Sequence, residues 1–370
     1  MNQKLLHTPE GVRDIYGTEY KKKLVVEDLL HLKLASYGFM EIQTPTFEYF
    51  DVFSKETGTT ASKDLYKFFD KEGETLVLRP DFTPAIARCA AKYFMESKAP
   101  LRFSYIGNTF TNTSNLQGKL KETTEVGAEL IGDDSVYADA EMISLVIESL
   151  LQCGLVNFQV SVGQVEYFRG ICQDAGLDED TERELRELIS VKNLFAAEDL
   201  LQSRNVSCEH AKALLKTADM FGGIDFLEEA VNSANNEKSI NAIKRLEALY
   251  EVLKMYGYEQ YVSFDLGMLS KYNYYTGVIF KVYTYGVGDA IVKGGRYDHL
   301  LNYFGKEAPA IGFVIQLDDL MEAITRQKIE IKLPEKPEIL YYTEEDFEST
   351  LLKARELRKA GISVSLEKKS

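Results

Sequence analysis

Residues 122–131, ETTEVGAELI, decide the fold around them. Polar and apolar residues alternate here, which predicts a β-strand whose successive side chains point to opposite faces of a sheet. Glu125, Gly127 and Glu129 would then share one face, and the glycine leaves room for a cationic or hydrogen-bond-donating ligand beside two carboxylates. The alternative is the solvated outer face of an antiparallel sheet, and the strand taken alone favours that alternative.

Helices and strands follow one another outward from this segment in the manner of the α+β class. Helices are predicted at residues 18–37, after Pro84, and at 137–153, 296–304 and 317–326. Strands are predicted at residues 39–48, 101–110, 156–164, 261–267, 274–285, 288–294 and 309–316, with a hairpin at 66–78.

Helix-forming residues dominate positions 166–255, which predicts a helical insertion in a main domain of residues 1–326. Residues 327–337 are expected to be a linker. Residues 338–370 then form one β–α–β unit, which cannot bury both faces of its own sheet. We therefore expect a truncated C-terminal α/β remnant.

The composition is that of an acidic globular protein. Its 370 residues include 43 Lys and Arg against 58 Asp and Glu, and the net charge of −15 argues against a protein whose main work is holding a nucleic-acid backbone. Cysteines and histidines follow no metal-ligand spacing and neither common nucleotide-binding loop occurs, so no metal and no cofactor is predicted. The start of the chain has no apolar h-region, and no stretch of about 18 apolar residues follows, which predicts a cytoplasmic protein.

A second polar segment, LRPDFTP at residues 78–84, lies between a predicted strand and a predicted helix. Asp81 and Thr83 in this segment suit the binding of an ammonium group. The alternative is that one of them only caps the following helix, and the segment taken alone favours the cap.

Two further segments place glycine beside residues that suit a pocket. In NYYTGVIF, residues 273–280, Tyr274 and Tyr275 would present phenols from a strand edge, although tyrosine is also a common core residue. In VKGGRYD, residues 292–298, two glycines permit close approach to a ligand or simply form a tight turn. Each segment alone leaves both interpretations open.

Together and in this order, the segments resemble the catalytic domain of the histidyl-tRNA synthetases, a class II aminoacyl-tRNA synthetase fold, over about residues 8–326. The matching segments are GVRD (11–14), GFMEIQTPTFE (38–48), LRPDFTPAIAR (78–88), GAELIG (127–132), YYTGVIF (274–280), GGRYD (294–298) and PAIGF (309–313). The resemblance implies an antiparallel sheet flanked by helices. It also implies a homodimeric core, because TPTFE-type segments build the dimer interface of class II enzymes.

The resemblance further implies a pocket for histidine. In the family's pattern, Asp81 and Thr83 would bind the α-amino group. Glu129 and Tyr275 would face the imidazole, with Tyr274 close by.

Departures from the family's pattern imply that the chain is not an enzyme. Arginines that hold ATP and the acyl-phosphate in active synthetases are replaced by Thr111, Ser270 and Asp319. Because losing one such contact costs about 10²–10³ in rate, three losses imply no useful adenylation. Within the pocket, Asp81 is one methylene shorter than the usual glutamate, and Glu125 stands where a glutamine is usual.

A histidine pocket without adenylation chemistry resembles the family of ATP phosphoribosyltransferase regulatory subunits, as do RPDFT in place of RPEGT and the shortened C-terminus. The resemblance implies assembly with a short-form ATP phosphoribosyltransferase catalytic subunit, which joins ATP to phosphoribosyl pyrophosphate in the first step of histidine biosynthesis. The regulatory chain would be required for that activity and would help to transmit feedback inhibition by L-histidine. It would bind no tRNA and no membrane.

Two alternatives remain. One is an active histidyl-tRNA synthetase, against which Thr111, Ser270 and Asp319 speak. The other is a different synthetase-like paralogue that binds an amino acid, which the sequence excludes less firmly because a partner surface carries no signature in it.

Overall fold

A computed structural model describes residues 6–53, 60–113, 120–269 and 275–369. The chain divides into two compact units, residues 1–330 and 331–370. Within the described ranges, no helix combines the length and the apolar character that crossing a bilayer requires.

The helices of the described ranges are α1 (Gly17–Ser36), α2 (Thr83–Tyr93), α3 (Val136–Gln152), α4 (Val165–Asp174), α5 (Glu179–Ser190), α6 (Leu194–Ser203), α7 (Cys208–Lys216), α8 (Asp225–Asn232), α9 (Glu237–Tyr256), α10 (Leu317–Arg326) and α11 (Phe347–Lys359). The strands are β1 (Met40–Glu41), β2 (Phe47–Tyr49), β3 (Lys67–Phe69), β4 (Thr75–Leu78), β5 (Leu101–Phe110), β6 (Glu122–Ile131), β7 (Phe158–Gln164), β8 (Phe221–Gly222), β9 (Val262–Asp265), β10 (Val278–Thr284), β11 (Val292–Arg296), β12 (Ala310–Gln316), β13 (Glu338–Tyr342) and β14 (Val364–Lys368).

The main sheet has nine strands among the described residues, in the order β1-β5-β6-β12-β11-β10-β7-β9-β8. Its neighbours pair antiparallel, apart from the parallel pairs β1–β5 and β7–β9. Parallel strands need a long crossover connection, and α4 to α9 lie in the chain between β7 and β9. The helices predicted at residues 166–255 are therefore the crossover of this edge.

Strands β5 and β6 are the longest pair in the described sheet and end where the alternation of the sequence predicted. Their register runs from Leu101 opposite Ile131 to Phe110 opposite Glu122. Strand β6 lies between β5 and β12, and it is buried from residue 124 to residue 131. Both faces of this strand are thus covered by protein.

Two predicted elements are wrong. The single strand predicted at residues 39–48 is two short strands in different sheets, β1 in the main sheet and β2 in a small sheet of order β2-β4-β3. Between the two strands, the Arg79 guanidinium donates a hydrogen bond to the backbone carbonyl of Thr44. Pro45 has no backbone N–H, so it cannot form a strand-pairing hydrogen bond. The helix predicted at residues 296–304 is a short 3₁₀ turn at Leu300–Phe304, because β11 continues through Arg296.

The second unit consists of β13, α11 and β14. The two strands pair in parallel, and α11 makes the connection between them. This is the β–α–β order that the sequence predicted for residues 338–370.

A buried ion cluster joins α3 and α9 to the main sheet. Asp139 of α3 is completely buried, and it accepts hydrogen bonds from Arg296 Nε at 2.8 Å and Nη2 at 2.6 Å. Arg245 of α9 donates to its other oxygen through Nε at 2.8 Å. One carboxylate therefore pairs with two guanidinium groups from separate elements.

Replacing Asp139 with alanine should lower the free energy of unfolding by roughly 3–5 kcal/mol, because it removes the fully buried carboxylate of Arg296 and leaves that arginine only its longer contact with Asp298. Urea denaturation followed by circular dichroism measures the loss. Asp180→Ala removes the aspartate of an exposed pair with Arg183 and should change the same quantity by less than about 0.5 kcal/mol. Equal losses in the two variants would contradict a structural role for Asp139.

Candidate functional site

A cavity of about 1080 Å³ is lined by residues of β6, β11 and β12 and of the helices α1, α2 and α10. It brings together the following predicted residues that the structure describes: Asp81, Thr83, Thr111, Glu125, Glu129, Tyr275 and Asp319. The other two predicted residues, Ser270 and Tyr274, lie outside the described residues.

Glu129 of β6 lies at the floor of the cavity and is only 1% exposed. Thr83 donates its hydroxyl to Glu129 Oε1 at 2.8 Å, and Tyr297 donates its hydroxyl to Oε2. A solvated outer sheet face, the alternative that the strand pattern favoured, is therefore wrong for this strand. The hydroxyl of Thr83 is therefore used in a hydrogen bond to Glu129.

Glu125 lies four residues before Glu129, on the same face of β6, and is also buried. Gln316 of β12 donates to its Oε1 at 3.0 Å. Asp81, at the entrance to α2, accepts the backbone N–H of Thr83 at 2.7 Å and also lines the cavity. Asp81 thus bonds the first residue of α2 and also lines the cavity, and its binding of an ammonium group stays a prediction.

Glycines around the floor make space for side chains of the site. A Cβ on Gly312 would overlap the Glu129 carboxylate, and a Cβ on Gly295 would lie 2.6 Å from the Tyr275 ring. The room beside Gly127, predicted to receive a ligand ring, is filled by the phenol of Tyr105. That prediction is wrong because the facing strand β5 brings Tyr105 opposite Gly127.

Burial raises the pKa of Glu129 to about 8 and the pKa of Glu125 to about 7. The charge of Asp81 contributes to both raised pKa values, whereas the Tyr297 and Thr83 hydroxyls lower the pKa of Glu129. Both groups are thus poised between their neutral and ionised forms near neutral pH. A cationic ligand would favour the ionised forms and would be stabilised by them.

The whole cavity is rich in acidic side chains. Its described lining includes eight carboxyl-bearing residues: Glu19, Asp81, Glu125, Glu129, Asp289, Asp318, Asp319 and Glu322. It includes four cationic ones: Arg13, Lys22, Lys293 and Arg326. No group of three or more His, Cys, Asp or Glu among the residues that the structure describes could hold a metal ion. The lining therefore suits an organic cation or a hydrogen-bond donor.

Sequence reasoning missed Tyr297, Tyr105 and Gln316, which all line the cavity. Tyr297 follows Gly295 at the spacing of one strand face, so alternation along residues 293–297 could have identified it. Tyr105 could be found only from the register of β5 with β6, which the sequence of the connecting loop does not specify.

The raised pKa values predict that the ligand-free protein loses stability as the pH rises from about 5 to about 8. The folded state holds protons on Glu129 that the unfolded state, with an ordinary glutamate pKa of 4.5, has already released. Glu129→Gln cannot ionise, so the free energy of unfolding should fall less steeply with pH in this variant. Urea midpoints measured across that pH range in wild type and variant test this.

Glu198→Gln, at an exposed position of α6, is the matched control and should keep the wild-type pH dependence. Identical pH slopes in the Glu129→Gln variant and the wild type would contradict the assigned protonation of Glu129.

Known proteins share this sequence and fold. The histidyl-tRNA synthetase family profile matches residues 11–320. The ATP phosphoribosyltransferase regulatory subunit of Acetivibrio thermocellus is 40% identical over 362 residues, which are 98% of this chain and 87% of that protein. A crystal structure described as an ATP phosphoribosyltransferase regulatory subunit/histidyl-tRNA synthetase from Bacillus halodurans is 33% identical, with a TM-score of 0.89 over 98% of this chain and 93% of that one.

The histidyl-tRNA synthetase of a Nostoc species is 20% identical, with a TM-score of 0.80 over 98% of this chain and 86% of that one, and shows the fold alone. The main sheet and its flanking helices are accordingly those of the class II aminoacyl-tRNA synthetases. The chain belongs to the histidyl-tRNA synthetase family and, within it, to the ATP phosphoribosyltransferase regulatory subunits.

Proposed function

We propose that this chain activates a short-form ATP phosphoribosyltransferase catalytic subunit in the first step of histidine biosynthesis, and that its acidic cavity binds L-histidine as the feedback effector. The names of the relatives support the first part. One observation carries the second part, namely the buried pair Glu125 and Glu129 beside Asp81 in a single cavity.

The chemistry of histidine suits these groups. Glu129 has unused lone pairs on both oxygens after accepting from Thr83 and Tyr297, so it can accept an imidazole N–H as well. Asp81 can pair with the α-ammonium group, a charge-assisted contact worth roughly 1.5–3 kcal/mol. The ring of Tyr275, which packs against Gly295 and lines the cavity, would face the imidazole.

The same lining argues against the activation of histidine by ATP. Thr111 and Asp319 line the cavity at positions where the resemblance expects arginines, and Asp319 adds a negative charge to a wall already rich in carboxylates. A triphosphate entering this wall would meet repulsion where an adenylating enzyme provides preorganised cations. We propose that the chain is non-catalytic and does not bind tRNA.

An exposed aromatic face supports a homodimeric core. One face of the small sheet β2-β4-β3 exposes Phe47, Tyr49 and Phe68, of which Tyr49 is 56% exposed. Clustered exposed aromatic residues mark interaction surfaces. We propose that a second copy of the chain covers this face.

The four cysteines are free thiols, in keeping with work in the reducing cytoplasm beside the catalytic subunit.

Mixing the chain with a short-form catalytic subunit should create or strongly raise the formation of phosphoribosyl-ATP, because the regulatory subunit is proposed to complete the active assembly. The rate is measured by absorbance with each protein alone and with both together, and co-elution on gel filtration reports assembly. Added L-histidine should inhibit the mixture.

The competing assignment, an active synthetase, is tested on the chain alone. Histidine-dependent exchange of pyrophosphate into ATP well above a blank without protein would overturn the non-catalytic assignment. Absence of both co-elution and any rate change on mixing would count against the partner.

A further inference from the structure

The cationic side chains of the cavity differ in where the fold places them. Within the described lining, Arg13 precedes α1, Lys22 lies on α1 and Arg326 ends α10, whereas Lys293 is carried by strand β11 of the sheet. Arg13 pairs with Glu19, and Arg326 pairs with Glu322 one turn earlier on its own helix. Lys293 is thus the cation that the described sheet itself presents to the cavity.

The register of the sheet fixes the position of Lys293 relative to the carboxylates. Strand alternation puts Lys293 on the face of Gly295, which lies opposite Gly312, and Gly312 lies opposite Glu129. Two strand spacings of about 4.8 Å separate the backbones of β11 and β6, and a four-carbon lysine stem spans much of that gap. The stem can therefore bring the ammonium group over the floor of the cavity when its ion pair with Asp289 opens.

Electrostatic coupling agrees with this position. Burial raises the pKa of Glu125 and the pKa of Asp319, and the charge of Lys293 acts in the opposite direction on both carboxyl groups. The ion pair between Lys293 and Asp289, at 3.3 Å, joins two partly exposed side chains. Such a pair contributes little stability and breaks readily. The ammonium can therefore turn toward a ligand between the inner and outer carboxylates.

A free amino acid brings a carboxylate as well as an ammonium group, and carboxylates dominate this cavity. An amino acid that directs its amine to Asp81 and its ring to Glu129 needs a cation on the remaining side. We propose that Lys293 binds the ligand's carboxylate and makes the site select the zwitterionic amino acid over an amine that lacks the carboxylate. This inference rests on the proposed binding of histidine.

Lys293→Met removes the charge and keeps most of the stem, and calorimetric titration with L-histidine and with L-histidinol, which carries a hydroxymethyl group instead of the carboxylate, isolates its effect. The wild type should prefer histidine, and the variant should bind histidine about tenfold more weakly. Histidinol should bind the variant as well as it binds the wild type, or more tightly. The variant lacks the Lys293 ammonium group, which would repel the positively charged histidinol. Lys293→Arg should keep the preference for histidine.

Lys281→Met is the matched control, since Lys281 lies opposite Lys293 on β10 and is outside the described cavity lining. It should leave both affinities unchanged. Histidine binding whose preference over histidinol survives in Lys293→Met would overturn the role of Lys293 and leave the proposed function standing. A preference lost equally in Lys281→Met would also overturn it, because the effect would then be one of general charge. A wild type that binds neither ligand, with its catalytic partner present, would overturn both.

Discussion

The burial of two carboxylates on the central strand β6 is the constraint on which the site depends. A charged group withdrawn from water is costly unless donors or cations compensate it. The surrounding elements supply donors: Thr83 from the start of α2, Tyr297 from the end of β11 and Gln316 from β12. The fold thus brings separate parts of the chain together around Glu129 and Glu125.

This compensation is incomplete. Hydroxyl and amide donors satisfy some lone pairs, but they bring no positive charge, and the pKa values of both glutamates stay high. A ligand that carries an ammonium group and ring N–H donors would supply the missing positive charge and hydrogen bonds. The empty site gives up stability that a bound cation would restore, which is typical of functional sites.

The sequence predicted the strands that carry the carboxylates better than it predicted their surroundings. Residues 101–110 and 122–131 were identifiable because alternation is strong in both. Alternation could not tell whether the face of Glu129 meets water or protein, since the residues that cover this face, such as Thr83 and Tyr297, are distant in sequence. The same limit applies to Tyr105, whose position opposite Gly127 depends on register. The strand predicted at 39–48 failed because a distant side chain, Arg79, takes the backbone carbonyl of Thr44.

The most direct test of a histidine site is calorimetric titration of L-histidine into the wild type and Glu129→Ala, with the catalytic partner present. If Glu129 accepts the imidazole N–H, the variant should bind histidine about tenfold to a hundredfold more weakly while it folds and assembles normally. Equal affinities in the two proteins would contradict the account, because Glu129 would then be only a buried structural residue.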